Sequence, residues 1–126
     1  MASNQDFPRH IRVGDQIQRE LAQIIARELK DPRIPSLITI TSVDVARDMG
    51  VARIFVSSLI DTISRDELVG ALTERAGFMR SILGKRLRIR AVPELRFSYD
   101  DTTEKAMELS RKIDEAIASH PQQTAD

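Results

Sequence analysis

The connection between the second and third β-rich segments of the chain most constrains its fold. It contains two stretches of helical periodicity, and the first opens with a capping box at residues 64–67. The second repeats apolar residues at Phe78, Met79, Ile82 and Leu83, which predicts that this side is buried. Parallel neighbouring strands need a long crossover of this kind, so the connection predicts a parallel pair.

Two β-rich runs precede this connection and one follows it. Residues 37–46 and 51–60 are rich in β-branched side chains, and Gly50 lies in the short link between them. These features predict an antiparallel hairpin. Pro93 then opens a third strand at residues 94–99.

The first helix is predicted from an apolar stripe between residues 11 and 29. Pro8 suits a first helical turn. Gly14 weakens this early part, and Asp15 and Gln18 could form a capping box, which leaves a start of the regular helix at Asp15 as an alternative.

A last helix is predicted from the capping box at residues 101–104, with Met107, Ile113 and Ile117 inside. The full order is helix, strand, strand, helix, helix, strand, helix. It predicts an α+β fold in which helices cover a mixed three-stranded sheet.

Length and composition exclude several classes of protein. A chain of 126 residues is expected to form one domain, here at residues 9–118, with flexible tails at 1–8 and 119–126. It has no cysteine, which excludes disulfides, a thiolate nucleophile and a cysteine zinc site. No signal segment is readable at the start, and no apolar run approaches the roughly 20 residues of a membrane helix. We therefore expect a cytoplasmic protein with no contact to a membrane.

The cations are concentrated in one part of a neutral chain. Nineteen basic residues balance nineteen acidic ones overall, yet residues 75–96 hold seven cations against Glu94 alone, a local charge of +6. Residues 100–126 carry seven acids and three cations, or −4. Segregated charge predicts a polyanionic partner, because phosphates favour closely spaced Lys and Arg through counterion release.

Two other interpretations of this charge stay open. The basic run could be a solvated helix face, as most charge runs are. It could also be a protein-interaction surface that binds an acidic protein. Catalysis is not expected, since His10 and His120 lie near the ends without fixed partners and Asp100-Asp101 suits a helix cap. We expect no metal, no cofactor and no small-molecule substrate.

Four segments carry a resemblance to a known family. They are Leu29-Lys30-Asp31-Pro32-Arg33, Ser42-Val43 to Arg47-Asp48, Leu83-Gly84-Lys85 and Pro93-Glu94-Leu95-Arg96-Phe97. Their order and spacing closely resemble those of ribosome-binding factor A, over residues 9–117, and the element order resembles a type II KH domain.

The resemblance implies a bacterial assembly factor for the small ribosomal subunit. Such a factor binds the immature 30S particle, assists late maturation of 16S rRNA near its 5′ end and matters most in the cold. It implies a non-catalytic RNA-binding protein, which we expect to be a monomer.

The site expected from charge and resemblance is a set of ten cations and a helix kink. Ordinary KH domains hold nucleotides with a Gly-x-x-Gly loop, which this chain lacks. The family has an Ala-x-Gly kink there, and this chain has Arg75-Ala76-Gly77, so the kink is expected to depend on Ala76 and above all on Gly77. The predicted RNA-binding residues are Arg75, Arg80, Lys85, Arg86, Arg88, Arg90, Arg9, Arg12, Lys30 and Arg33.

The glycines leave one question open. Gly70, Gly77 and Gly84 are seven residues apart, so on a straight helix they would form a stripe opposite the apolar face. They could permit close approach of an RNA backbone. They could equally have separate duties, with a kink at Gly77, a cap at Gly84 and Gly70 merely tolerated.

Overall fold

A computed structural model describes residues 8–35, 37–59 and 63–119, without the side chains of residues 103, 104, 118 and 119. The predicted order of elements is confirmed. The helices and strands are α1 (Arg9–Arg27), β1 (Ile38–Val45), β2 (Val51–Ser58), α2 (Arg65–Glu74), α3 (Ala76–Leu87), β3 (Glu94–Tyr99) and α4 (Thr102–Ser119). The predicted tails at 1–8 and 119–126 lie outside the described residues, except for Pro8 and Ser119.

The three strands form one mixed sheet in the order β1-β2-β3. β1 and β2 are antiparallel, with a register shift between Ile40 and Ser42, and β2 and β3 are parallel. The hairpin turn is closed by Asp48, whose Oδ1 accepts a hydrogen bond from the Gly50 N–H at 2.9 Å. Both pairings agree with the expectations from the hairpin link and the helical crossover.

Helices α1, α2 and α3 cover one face of this sheet and form the core with it. Burial alternates along β3, where Leu95 and Phe97 are buried and their neighbours are exposed. The core is formed by Ile17, Leu21 and Ile24 of α1, Leu68 and Leu72 of α2, Met79 and Leu83 of α3, and Ile54 and Val56 of β2. Such alternation is typical of a sheet covered on one side.

Helix α1 begins at Arg9, directly after Pro8, and the alternative start at Asp15 is wrong. The Pro8 carbonyl already accepts hydrogen bonds from the N–H groups of Ile11 and Arg12 at 3.1 and 3.2 Å. The Gln18 side chain is not a cap, because its Nε2 donates to the Ile40 carbonyl at 3.0 Å. Contact with the sheet therefore stabilises the first turns, which a local capping rule cannot detect.

The crossover helices differ from expectation at two places. The Ser64 cap forms as predicted, with its Oγ accepting from the Glu67 N–H at 3.1 Å. Phe78 was expected in the core but is 49% exposed. The buried residues of α3 are Met79 and Leu83, and Phe78 lies on the outer side of the helix. Gly84 does not end α3, which continues to Leu87 and is capped by Arg88 in the left-handed region at φ 53° and ψ 38°.

Helix α4 does not place its apolar side chains inside. Met107, Ile113 and Ile117 are 68, 51 and 52% exposed, so this expectation is wrong. The helix-covered face of the sheet is already occupied by α1, α2 and α3, and α4 has no extensive packing with any other element. No helix in the described part of the chain is long and apolar enough to span a membrane.

Candidate nucleic-acid interface

Most of the predicted cations lie near one end or the other of α3. Helix α1 packs antiparallel to α3 and places residues of its own beside both ends. Near the start of α3, Arg75 contacts Asp31, which follows the end of α1. Near the end of α3, Arg86 contacts Glu20 in the middle of α1. The interface therefore has a junction end, between α2 and α3, and a groove end, where α3 leads into β3.

A groove lined with arginines lies at the groove end. Three arginines of one α1 face line it together with Ile89, which follows α3, and its volume is about 510 Å³. A second hollow of about 230 Å³ continues from it between α1 and the last turn of α3. We call the two hollows the basic groove. Its charged lining residues are Arg9, Arg12, Asp15, Arg19, Glu20 and Arg86.

Arg19 belongs to this groove although it was not among the predicted site residues. Its signal in the sequence is the spacing of Arg9, Arg12, Gln16 and Arg19, at intervals of three, four and three residues on one helical face. The acids of α1 obscured that pattern. Only the packing of the end of α3 against α1 shows that this face continues into the basic region.

Three more cations project from the groove end without partners. Lys85, Arg88 and Arg90 are exposed, and no ion pair or hydrogen bond is formed by them among the described residues. Arg86 is instead paired, with its Nη1 3.2 Å from Glu20 Oε1. The basic groove and these three cations together bring seven cations and two acids, Asp15 and Glu20, to this end of the domain.

Arg80 has a different partner, a backbone carbonyl. Its Nη2 donates to the Val92 carbonyl at 2.7 Å, which ties the middle of α3 to the segment before β3. A carbonyl does not neutralise the guanidinium charge, although the carboxylate of Glu94, which is bound to Arg96, lies near enough for Arg80 to contribute to its lowered pKa. Arg80 therefore positions the segment containing Arg88 and Arg90 while it adds charge beside them.

The junction end is a compensated cluster of four charges. Arg33 Nη2 is 2.7 Å from Asp31 Oδ2, Arg75 Nε is 3.2 Å from the same oxygen, and Arg33 Nη1 is 3.1 Å from Glu74 Oε2. Asp31 is 6% exposed and is the one buried charged residue of the described chain. We call these four residues the junction cluster.

Hydrogen bonding sets the ionisation of the junction cluster. The side chain and then the backbone N–H of Arg33, followed by Arg75, hold the pKa of Asp31 well below its usual range. The same Arg33 lowers the pKa of Glu74. Two carboxylates and two guanidinium groups leave no net charge here, so the cluster offers RNA phosphates little electrostatic attraction. Arg33 is bound to both carboxylates through Nε, Nη1 and Nη2, whereas Arg75 bonds Asp31 through Nε. Lys30 is exposed one residue before the cluster.

The break between α2 and α3 lies at Arg75, not at Gly77. Arg75 has φ −96° and ψ 5°, and α3 resumes at Ala76. A Cβ added at Gly77 or Gly70 would meet nothing within 4 Å, and one at Gly84 would meet Val92 Cγ2 at 3.5 Å. The described residues therefore give no packing reason for glycine at positions 70 and 77, and both interpretations of these glycines stay open.

Two aromatic residues of β3, Phe97 and Tyr99, are poorly placed to stack on RNA bases. Phe97 is 7% exposed, in the core. Tyr99 has Arg65 over its ring at 4.4 Å, and its hydroxyl donates to the Ser58 carbonyl at 3.2 Å. Stacking by these two side chains is therefore not favoured, whereas Phe78 of α3 is 49% exposed. No group of three His, Asp or Glu side chains that could hold a metal ion occurs among the described residues.

Comparison with known proteins agrees with the resemblance. The model of the family described as ribosome-binding factor A matches residues 9–113. Ribosome-binding factor A of Alkalilimnicola ehrlichii is 47% identical over 122 residues, which cover 96% of this chain and 93% of that protein. The Azotobacter vinelandii protein of the same name is 46% identical over 90% of this chain and 89% of its own length.

Solved structures give the same match. The crystal structure of ribosome-binding factor A from Thermus thermophilus has a TM-score of 0.63 and 27% identity, covering 71% of this chain and 93% of that one. A homology model of the Thermus thermophilus factor, fitted into the cryo-electron microscopy map of a 30S complex, has a TM-score of 0.56 and 28% identity. It covers 69% of this chain and 90% of its own.

Proposed function

The chain belongs to the ribosome-binding factor A family, and from this premise we propose that it binds the immature 30S ribosomal subunit and assists late maturation of 16S rRNA near its 5′ end. In this proposal the groove end binds RNA phosphates, and the protein acts by holding one RNA conformation. No covalent bond is made or broken, and neither a cofactor nor a small-molecule substrate takes part.

One observation carries the proposal, namely the position of Lys85, Arg88 and Arg90 beside a groove lined by arginines. These cations have no described carboxylate partner that an RNA phosphate would have to displace. Binding would release counterions from the RNA, and affinity would fall steeply with salt concentration. The proposed contacts at this end are Arg9, Arg12, Arg19, Arg80, Lys85, Arg86, Arg88 and Arg90.

The other predicted contacts have a lesser role in the proposal. Arg33 would reach RNA only by giving up Asp31 or Glu74, and the charge of Arg75 is already compensated by Asp31, so neither adds much to the attraction of phosphates. Lys30 would contribute at the margin. Ala76 and Gly77 would direct α3, since they follow the break at Arg75.

The finer features of the proposal follow from its partner. A factor that meets the 30S subunit would work in the cytoplasm, and we propose that it does so as a monomer and chiefly in the cold. The relative placed in the map of a 30S complex supports the choice of partner. Sedimentation of the protein with free 30S subunits, complete ribosomes or neither would test that choice directly.

The salt dependence of binding tests the groove end. For Lys85→Gln/Arg90→Gln, we expect binding to purified 30S subunits to weaken. The plot of log affinity against log salt should become shallower, its negative slope decreasing in magnitude by about two, one for each lost phosphate contact. Arg47→Gln/Arg53→Gln is the matched control, because it removes two exposed cations from the hairpin and from β2.

An unchanged slope in the first variant would refute the proposed phosphate contacts. Competition separates RNA from the alternative partner, an acidic protein. If the partner is RNA, protein-free 16S rRNA should displace the chain from the subunit and polyglutamate of equal charge should not. Displacement by polyglutamate would show that simple negative charge suffices and would favour the acidic protein.

A further inference from the structure

Helix α4 presents an apolar stripe that nothing in the described structure covers. Ala106, Leu109, Ile113 and Ile117 recur at intervals of three and four residues and so share one helical face. Leu109 is 59% exposed, and the two isoleucines are more than half exposed. Every described side chain of α4 is exposed. A contiguous exposed apolar face of this kind marks an interaction site.

The base of α4 is firmly attached to the sheet. Asp100 accepts hydrogen bonds from the Thr102 N–H at 2.9 Å and from the Thr41 hydroxyl at 2.6 Å. Hydrogen bonds from Thr102 and Thr41 lower the pKa of Asp100 to about 2. The Asp100 N–H also donates to the Val56 carbonyl at 2.7 Å. The apolar stripe thus begins close to a fixed point of the domain, as a docking element requires.

Charge excludes RNA as the molecule that covers this stripe. Residues 100–119 contain six carboxylates and three cations, for a net charge of −3. Two of the cations are already paired within the segment, Lys105 with Asp101 at 3.4 Å and Lys112 with Glu108 at 3.5 Å. Phosphates would be repelled. A basic protein surface would be attracted to the net negative charge. Asp114 shares a hollow of about 600 Å³ with Met107 and Arg111, and it forms no ion pair or hydrogen bond with the described residues.

A second copy of this chain fits the stripe poorly. Coiled coils need apolar a and d positions over three or four heptads, whereas α4 has 18 residues in all. Ser110 and Asp114 also lie at the margin of its apolar face. A preformed groove in another protein would cover the stripe at lower cost, in the helix-in-groove mode.

We propose that α4 docks with its apolar stripe into a groove on a basic protein of the particle that this chain binds, with cations of that protein facing Asp114. The inference rests on the proposed function, because it places the partner protein on the 30S subunit. It adds a protein contact, made by an acidic helix, to the RNA contact made by the groove end.

Crosslinking identifies the partner by its chemistry. The full chain carries a photoreactive phenylalanine at Ser110, next to the stripe, and is irradiated with purified 30S subunits. We expect an adduct that a protease digests and a ribonuclease leaves intact. Adducts with 16S rRNA, adducts between two copies of the chain, or no adduct would each overturn the proposal.

A matched pair of variants tests whether the stripe supplies affinity. Ile113→Gln/Ile117→Gln keeps helix-forming residues and removes apolar area, and should weaken binding to intact 30S subunits by about tenfold or more. Its binding to protein-free 16S rRNA should not change. The control Glu108→Gln/Lys112→Gln alters the opposite face without a change of net charge and should bind both as well as the unmodified chain.

The two proposals fail in different ways. If the unmodified chain does not bind 30S subunits, both are wrong. If it binds, and the isoleucine variant binds equally well, only the docking of α4 is wrong. A loss of affinity for protein-free rRNA as large as that for the subunit would also refute the protein contact.

Discussion

Asp31 shows at the scale of one residue how a charge in a basic region can be structural. Its carboxylate accepts from the backbone N–H and the Nε of Arg33, both at 3.0 Å, and from Arg75 at 3.2 Å. These bonds link the segment after α1 to the break between α2 and α3. A buried carboxylate is tolerated when it is paired and hydrogen-bonded in this way.

Asp31 should make stability depend on pH in a predictable direction. Because its pKa is lowered in the folded state, its ionised form stabilises the protein above the unfolded pKa near 3.8, and this contribution is lost as the pH falls below that value. Asp31→Asn should therefore lower the urea midpoint at pH 7. The difference from the unmodified chain should shrink steadily between about pH 4 and about pH 2.

Chemical denaturation at several pH values measures this difference. Asp44→Asn is the control, because Asp44 is exposed and has no partner among the described residues. Asp100 also titrates near pH 2, but it does so in both proteins and cancels in the comparison. A difference that is the same under acidic and neutral conditions would show that Asp31 does not act through its charge.

At the scale of an element, two glycines in helices have different surroundings, and comparing them distinguishes the effect of close packing from that of helix propensity. A Cβ on Gly14 would lie 3.3 Å from the Val43 carbonyl oxygen and 3.4 Å from Val45 Cγ2, where α1 crosses β1. Gly70 has open space around it. Gly14 therefore lets a helix approach a strand closely, whereas Gly70 costs α2 helical stability.

Alanine should consequently act differently at these two positions. Gly70→Ala should raise the free energy of unfolding by up to about 1 kcal/mol through helix propensity. Gly14→Ala should bring little or none of that gain, because the strand carbonyl cannot move without a loss of sheet hydrogen bonds. Thermal and urea unfolding measure both values, and equal gains would contradict the close packing of α1 on β1. Undiminished 30S binding by Gly70→Ala would also exclude an RNA contact at that position.

The elements most accessible to sequence reasoning were those that local patterns determine. The hairpin, the crossover and the bounds of β3 follow from alternation, link length and a proline. Local patterns did not determine the start of α1 or the end of α3, since Gln18 bonds the Ile40 carbonyl instead of capping the helix, and Arg88 rather than a glycine adopts the left-handed conformation after α3. The apolar stripe of α4 led to the wrong expectation of burial, because no local pattern states whether this chain or another molecule covers a helix face.

The sequence predicted that the interface contains an excess of cations, but it did not predict how those cations are arranged and paired on the surface. Sequence counting found the excess of cations in residues 75–96. It could not show that Asp31, 44 residues away, compensates Arg75, or that Arg19 stands opposite Arg86. Long-range pairing decides which cations are free, and pairing of that kind has no signature in a single sequence.

At the scale of the whole molecule, the charges sort into a groove end with a net positive charge, a neutral junction and an acidic last helix. Zero net charge therefore conceals a dipolar protein whose two charged parts suit different partners. RNA phosphates would favour the groove end, and a basic protein would favour α4. A subunit built of both RNA and protein can satisfy both at once, which neither partner could do alone.

This division predicts that two arginines with the same charge contribute differently to binding. Arg19 is exposed in the basic groove without a described partner, and Arg75 is held by Asp31. Arg19→Gln should lower the salt slope of 30S binding by about one, because a phosphate contact is lost. Arg75→Gln should leave the slope nearly unchanged and lower the urea midpoint instead, because Asp31 loses a hydrogen bond.

Titrations at several salt concentrations, with urea unfolding of the same preparations, measure both quantities. If Arg75→Gln reduced the slope as much as Arg19→Gln, Arg75 would contact RNA in the bound state. The proposed difference between the groove end and the junction cluster would then be wrong.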